Sequence, residues 1–492
     1  MSKTAAIISK IKTEIDRHPL IFLVLISLAV QIWYLAFRFP LWWDSYVYVG
    51  MGKFLASQGK AGLFELFRPP LFPLILGGLW RIGFDPLIVG PILDVIFSLT
   101  TTALTLAIGT KIFNKTVGFY AAILVCLNPI FLMHTGLILT EPLAMMLALI
   151  AVLLMVRENR EKKKKNYPRY CVIGMVTALS FLSKFPQGLL LPAILFTIFI
   201  ASKTEKSMIL RIKQSAAVTS GFLLLIIPYL LINYRYFADP LAPLKSGSWI
   251  VTTATWLYGS GITYYISHFF LLSPIFFLFF AYLWIFLRER EYLRTGPSLL
   301  VFFSLLMIIY FLTVPRKEAR YLVTIVPALA ILAVTVVERC YHFLQQQERQ
   351  MIYPKALIAL CVIGTLLFLP QAFTVDSSEN GSGDLHQVLK DHPTTGFILT
   401  NDPSPASVTD NKMILFGGMD TAMIAYEAYR NESGLIVVRD CNFVCSLDDP
   451  RCEEQKRILL NRITEDNQQI FHKTVKGCTI AVYSPSQEEK QQ

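Results

Sequence analysis

The stretch FPLWWDSYVYVGMGKFLASQGKAGLFELFRPPLFPLILGGLWR, residues 39–81, decides how the chain is read. It follows a long apolar segment and places a carboxylate, Asp44, between Trp43 and the tyrosines Tyr46 and Tyr48. The basic, proline-rich Arg68-Pro69-Pro70 comes two dozen residues later. Aromatic side chains of this kind concentrate at membrane interfaces, so an acid framed by them and answered by an arginine reads as a site facing a lipid headgroup.

The composition agrees with a membrane setting. Of 492 residues, 54% are hydrophobic and 16% charged, and the mean hydropathy is +0.51, which a water-soluble chain of this length does not reach. Apolar segments of spanning length fall near 19–37, 87–110, 116–133, 139–156, 170–185, 187–202, 214–233, 265–287, 297–314, 321–337 and 355–370. These predict a polytopic α-helical membrane protein with about eleven transmembrane helices, the first acting as a signal anchor. The net charge of +11 is then a matter of topology and not of nucleic-acid binding. With the N-terminus in the cytoplasm, the Lys/Arg-rich loops, among them Arg157–Arg169, Lys203–Lys213, Arg288–Arg294 and Arg339–Lys355, all fall on the cytoplasmic face, as the positive-inside rule requires. The apolar run Pro70–Gly83 is short for a span, and crossing would invert every later loop. It is expected to lie on or dip into the outer leaflet.

The loop 38–86 around Asp44 therefore shares the extracytoplasmic face with the corner Leu139-Thr140-Glu141-Pro142, the corner Ser183-Lys184-Phe185-Pro186, the loop carrying Arg235 and Lys245, and the corner Arg316-Lys317-Glu318-Ala319-Arg320. Residues 1–370 form the membrane domain on this reading. Beyond them lies a soluble domain, 371–492, whose pattern predicts strands at 397–400, 413–416, 435–439, 470–475 and 478–483 and helices at 420–430 and 453–466, a small extracytoplasmic α/β module. Cys441, Cys445, Cys452 and Cys478 fall in this module. Disulfides suit an oxidising compartment, and zinc is the alternative, although no histidine stands at ligand spacing. Asn380-Gly381-Ser382 and Asn431-Glu432-Ser433 are acceptor sequons on the same side.

Charges at a lipid boundary need partners. Asp44 and Glu141 facing Arg68, Lys184, Arg235, Arg316, Lys317 and Arg320 suit an anionic ligand, since guanidinium forks match phosphate oxygens and stabilise a departing phosphate. A carboxylate opposite that leaving group takes a proton from an incoming hydroxyl. Each of these side chains also has a plain structural role: an ion pair for Asp44, a helix-start acid for Glu141, an interface anchor for Lys184 and Arg320. Lys53, Lys60 and Arg81 read as surface charges.

Trp43-Asp44-Ser45-Tyr46, Arg68-Pro69-Pro70-Leu71-Phe72-Pro73, Leu139-Thr140-Glu141-Pro142-Leu143, Ser183-Lys184-Phe185-Pro186 and Arg316-Lys317-Glu318-Ala319-Arg320-Tyr321-Leu322 stand in this order over 15–370. The ordered set resembles the GT-C membrane glycosyltransferases, in the branch of protein O-mannosyltransferases and aminoarabinose transferases. The resemblance implies an inverting enzyme that moves a sugar from a polyprenyl- or dolichyl-phosphate donor to a lipid-linked glycan, surface polymer or protein outside the cytoplasm. It implies Asp44 as the base, Glu141 as support for the acceptor or, with Asp44, for a divalent metal ion, and the basic residues as the donor-phosphate site. Ser45 departs from the second acid usual in protein mannosyltransferases, and the C-terminal module carries no matching family motif. The membrane expected is the plasma membrane of a prokaryote, or the endoplasmic reticulum of a eukaryote. A flippase for a lipid-linked glycan and a membrane-anchored sensor are the other classes weighed. No internal repeat or midplane charge favours the first, and so many spans exceed what the second needs.

Overall fold

The computed structural model describes residues 17–36, 41–157, 167–201, 207–252, 258–270, 273–346, 382–416, 419–443, 445 and 450–485. The helices, in chain order, are α1 (Pro19–Ala36), α2 (Trp43–Ala56), α3 (Leu71–Arg81), α4 (Pro86–Ile112), α5 (Lys115–Cys126), α6 (Thr140–Arg157), α7 (Tyr167–Ser183), α8 (Leu190–Ile200), α9 (Met208–Phe237), α10 (Ala242–Ile250), α11 (Leu278–Arg288), α12 (Thr295–Thr313), α13 (Val326–Gln346), α14 (Ser382–Asp391), α15 (Met419–Tyr429) and α16 (Pro450–Asp466). Single helical turns such as Pro129–Leu132 join some of them. The strands are β1 (Phe397–Thr400), β2 (Met413–Leu415), β3 (Ser433–Arg439), β4 (Asn467–Val475) and β5 (Cys478–Pro485).

The protein is a helical membrane protein with a small α/β module. Among the described residues, five helical stretches are long and apolar enough to span a bilayer: α1, α4, α9, α12 and Ala319–Phe343, which includes most of α13. Five further apolar helices are shorter among the described residues. Pro186 sits in the 3₁₀ turn Phe185–Leu189 that leads into α8, and Pro274 opens the 3₁₀ turn before α11. A strict length criterion therefore finds fewer spans than the sequence pattern, which joins such pieces. The expected span at 355–370 and the sequon at Asn380 start outside the described residues.

The chain gathers into two compact units. The first comprises 1–38, 93–136 and 140–375. In it, 89% of the apolar stretch of Ala319–Phe343 is buried against 17% for that of α9. Helix α13 is thus the central post, and α9 offers most of its apolar surface to lipid.

The second unit comprises 39–92, 137–139 and 376–492. Composition suggested a cut near 370, with the loop 38–86 kept among the spans; packing instead joins that loop to the C-terminal module. The reason is apolar: Val47, Met51 and Leu63 share one buried cluster with Leu385, Ile398, Ala406, Met413, Leu435, Val437, Ile480 and Val482. The five-stranded sheet has the order β2-β1-β3-β5-β4. Its first three strands are parallel and the last two antiparallel. The opposite face packs on α15 and α16 through Leu399, Tyr426, Ile436, Leu459 and Ile463. Lys53, expected at the surface, is buried: its Nζ lies 2.9 Å from Asp410 Oδ1 and donates to Thr409 O at 3.0 Å. Disulfides join Cys441 to Cys478 and Cys445 to Cys452.

Helices α2 and α3 meet through paired glycines. A Cβ on Gly77 would stand 2.2 Å from Gly52 O, while one on Gly78 meets nothing within 4 Å. Gly77→Ala is expected to lower stability by about 1–3 kcal/mol through overpacking, and Gly78→Ala to leave it level or slightly raised. Thermal melts of the two purified full-length variants compare them; equal midpoints would contradict the close approach.

Candidate functional site

In the second unit Asp44 occupies the first turn of α2, where the helix dipole favours a negative charge. The helix end is tied by its neighbour: Ser45 Oγ accepts from Trp42 N at 3.2 Å and donates to Leu137 O. The carboxylate of Asp44 turns instead to Arg68, whose Nη2 lies 2.7 Å from Oδ1. Arg68 Nε also holds Glu65 Oε2 at 2.8 Å, and Trp43 Nε1 donates to Glu65 Oε1 at 3.4 Å. The guanidinium lies 4.9 Å from the Phe67 ring centroid and 5.5 Å from that of Tyr48. Burial lowers the pKa of Arg68, but the adjacent Asp44 and Glu65 raise it further, so the net shift is upward and the cation stays charged. Two acids thus converge on one cation, and Asp44 is 8% exposed.

The first unit holds the other candidates. Pro142 follows Glu141 in the opening turn of α6, a position where proline costs no hydrogen bond. Glu141 is buried, and its Oε1 lies 2.6 Å from Lys184 Nζ, which the turn after α7 supplies. Arg320 acts on Glu141 electrostatically. His134, held by Ile130 O at 2.6 Å, lies in the field of the same groups. Burial presses its pKa below the ordinary value, with Arg320 and Lys184 adding to the effect and Glu141 opposing it.

The corner before α13 is a second knot of charge. Glu318 Oε1 accepts from Arg316 Nε at 2.6 Å and from Tyr321 Oη at 2.9 Å, and its Oε2 lies 2.5 Å from Arg320 Nε. The guanidinium carbon of Arg316 sits 3.3 Å from the Tyr258 ring centroid, a cation–π contact. Lys317 departs from expectation. Its ammonium is buried and donates to the carbonyls of Phe311, Leu312 and Val314, so it closes the end of α12 and has no N–H left for a phosphate. Arg235 lies exposed on the last turn of α9, with no ion pair among the described residues.

The structure therefore brings Asp44 to Arg68 in one unit. In the other it brings Glu141 to Lys184, and Arg316 to Arg320 across Glu318. Glu65, Glu318, His134 and Tyr258 were missed as members. Glu65 and Arg68 stand at the i,i+3 spacing of a paired turn, and Glu318 lies between two arginines in sequence, so both left a signal. Among the described residues, Asp44 and Glu141 belong to no cluster of three metal-ligating side chains; each faces a cation.

Residues 67–232, about a third of the chain, match the family described as dolichyl-phosphate-mannose-protein mannosyltransferase. Among solved structures, the chain is similar to ArnT from Cupriavidus metallidurans bound to undecaprenyl phosphate. That match has a TM-score of 0.68 at 12% identity, over 95% of this chain and 98% of that one. It is also similar to the oligosaccharyltransferase of Archaeoglobus fulgidus in the apo form, with TM-score 0.58, 12% identity and coverage of 96% and 74%. A third is the mycobacterial arabinofuranosyltransferase AftD, with TM-score 0.52, 11% identity and coverage of 95% and 40%. No curated protein sequence matches. The chain has the GT-C fold of membrane glycosyltransferases.

Burial raises the pKa of Glu318, but Arg320 and Arg316 outweigh it and hold the group below the ordinary carboxylate range. Its folded pKa is therefore lower than its unfolded value of about 4.3. The stability it contributes is present above that value and is lost as the pH falls through the folded pKa. Glu318→Gln should cost about 3 kcal/mol at pH 7, and the gap to wild type should close as melts are taken from pH 5 to 3. A gap that stays constant would rule out the ionised corner.

Proposed function

We propose that this protein is a membrane glycosyltransferase that moves a sugar from a polyprenyl- or dolichyl-phosphate donor to a hydroxyl-bearing acceptor, with Asp44 as general base. The observation that carries the proposal is the agreement in fold along nearly the whole of both chains with a structure that holds undecaprenyl phosphate. The acceptor is a lipid-linked glycan, surface polymer or protein reached from the extracytoplasmic face. The lysine and arginine distribution supports that orientation.

In the proposed reaction the acceptor hydroxyl gives its proton to the Asp44 carboxylate as its oxygen attacks the anomeric carbon. The bond from that carbon to the phosphate oxygen breaks, its electron pair leaves with the polyprenyl phosphate, and the configuration inverts. Arg68 holds the Asp44 carboxylate in place. Its pairing with two acids favours that orienting role over the phosphate contact expected from sequence. The proton moves as bond formation makes the acceptor oxygen acidic. Charge growing on the leaving phosphate calls for cations. Lys184, Arg316 and Arg320, ordered by Glu141 and Glu318, meet that need, and Arg235 adds a further positive charge.

Asp44→Asn should keep donor binding and lower transfer from a radiolabelled undecaprenyl- or dolichyl-phosphate sugar by about 10²–10⁴-fold. Turnover equal to wild type would defeat the enzymatic reading. Arg320→Ala should raise the donor Kd by about tenfold, an effect of about 1.4 kcal/mol, and an unchanged Kd would remove that residue from the donor site.

A further inference from the structure

Helix α2 carries Asp44 at one end and, through Val47 and Met51, is seated in the apolar cluster of the module. Its far end bears a lysine with an unusual partner. Lys53 lies nine residues after Asp44, about 14 Å further along the helix axis. Its side chain is 5% exposed, and its ammonium reaches Asp410 Oδ1 at 2.9 Å and Thr409 O at 3.0 Å, both in the segment between β1 and β2. Asp410 itself is 66% exposed, and a pair with one solvated partner contributes little net stability. An apolar side chain would fill the place of Lys53 at lower desolvation cost. What the lysine adds is direction: its N–H groups fix one register of the helix against one segment of the module.

The neighbouring chain makes the same connection through its backbone. Gly62 N donates to Asn411 O at 2.9 Å and Met413 N to Gly62 O at 2.7 Å, so the turn after α2 makes a single parallel bridge beside β2. Gly62 adopts φ +72°, and a Cβ there would stand 2.1 Å from Gly50 O, so the return of the chain against α2 is open to glycine. Near the start of the helix, the Tyr46 ring meets His386 of α14 edge-on at 6.4 Å, and His386 Nε2 lies 3.2 Å from Ser407 Oγ.

We propose that the C-terminal α/β module is the holder of the helix that bears Asp44, with Lys53 as its positioning residue, so that the module takes part in transfer without touching substrate. The inference rests on the reading of Asp44 as the base. A base must meet its proton within hydrogen-bond reach, and a small tilt of a helix turned about its far end displaces its first turn enough to lose that reach.

The test uses full-length protein with undecaprenyl-phosphate mannose as donor probe, together with hydrogen exchange of residues 43–56. Lys53→Met should lower kcat tenfold or more, leave the donor KM within twofold, and raise exchange along α2 tenfold while β3 and β5 stay protected. Lys53→Arg should recover at least half of kcat. Asp410→Ala, a change at an exposed side chain, should lower kcat two- to fivefold and serves as the second variant if Lys53→Met does not fold. Wild-type kcat in the variant that folds overturns the proposal. So does unchanged exchange along α2, or an equal loss in Lys53→Met and Lys53→Arg. If wild-type protein turns over no polyprenyl-phosphate sugar, the glycosyltransferase reading fails, and the exchange measurement still decides whether the module holds the helix.

Discussion

The contact on which the rest depends is the ion pair of Asp44 with Arg68, shared with Glu65. Each partner is mostly withdrawn from water, and breaking such a pair would strand a charge in a poor solvent. The chain between them is shaped to keep it. Helix α2 begins at Trp43 so that its dipole supports the acid, Ser45 takes over the capping hydrogen bonds, and Pro69-Pro70 stiffen the exit from Arg68. A carboxylate in this setting is held in one direction by its partner.

The same economy governs the other unit. Glu318 satisfies Arg316 and Arg320 together, and Glu141 satisfies Lys184. Cations paired with acids in this way are held in fixed positions, which lowers the reorganisation that binding an anion beside them would need. Lys317 shows the contrast: the same residue type in the same corner is spent entirely on the last carbonyls of α12.

Hydropathy alone revealed the membrane class, because lipid demands long apolar helices whose period is visible locally. The strands of the module were legible to within a few residues for the same reason: β1 and β3 are short β-branched runs with clear ends. Helix α14 went unseen, since its amphipathic pattern spans fewer than three turns. Long-range pairing was also invisible. Lys53 looked like a surface lysine because its partner Thr409 lies 356 residues away in sequence, and the single bridge at Gly62 has no periodicity at all. At the candidate site, residue types were readable but pairing was not. Arg68 reads as a phosphate ligand until its two acids are seen, and Lys317 until its carbonyls are.

The seating of α2 on the sheet has a consequence for biosynthesis. Val47, Met51 and Leu63 leave the ribosome well before Ile398, Met413 and Val482, which cover them. Contacts of such sequence separation close slowly, so through most of translation the segment carrying Asp44 has no finished support. A chain that stops before the sheet is made would lack a seated α2, so the packing of this early segment waits on a module that is synthesised more than 300 residues later.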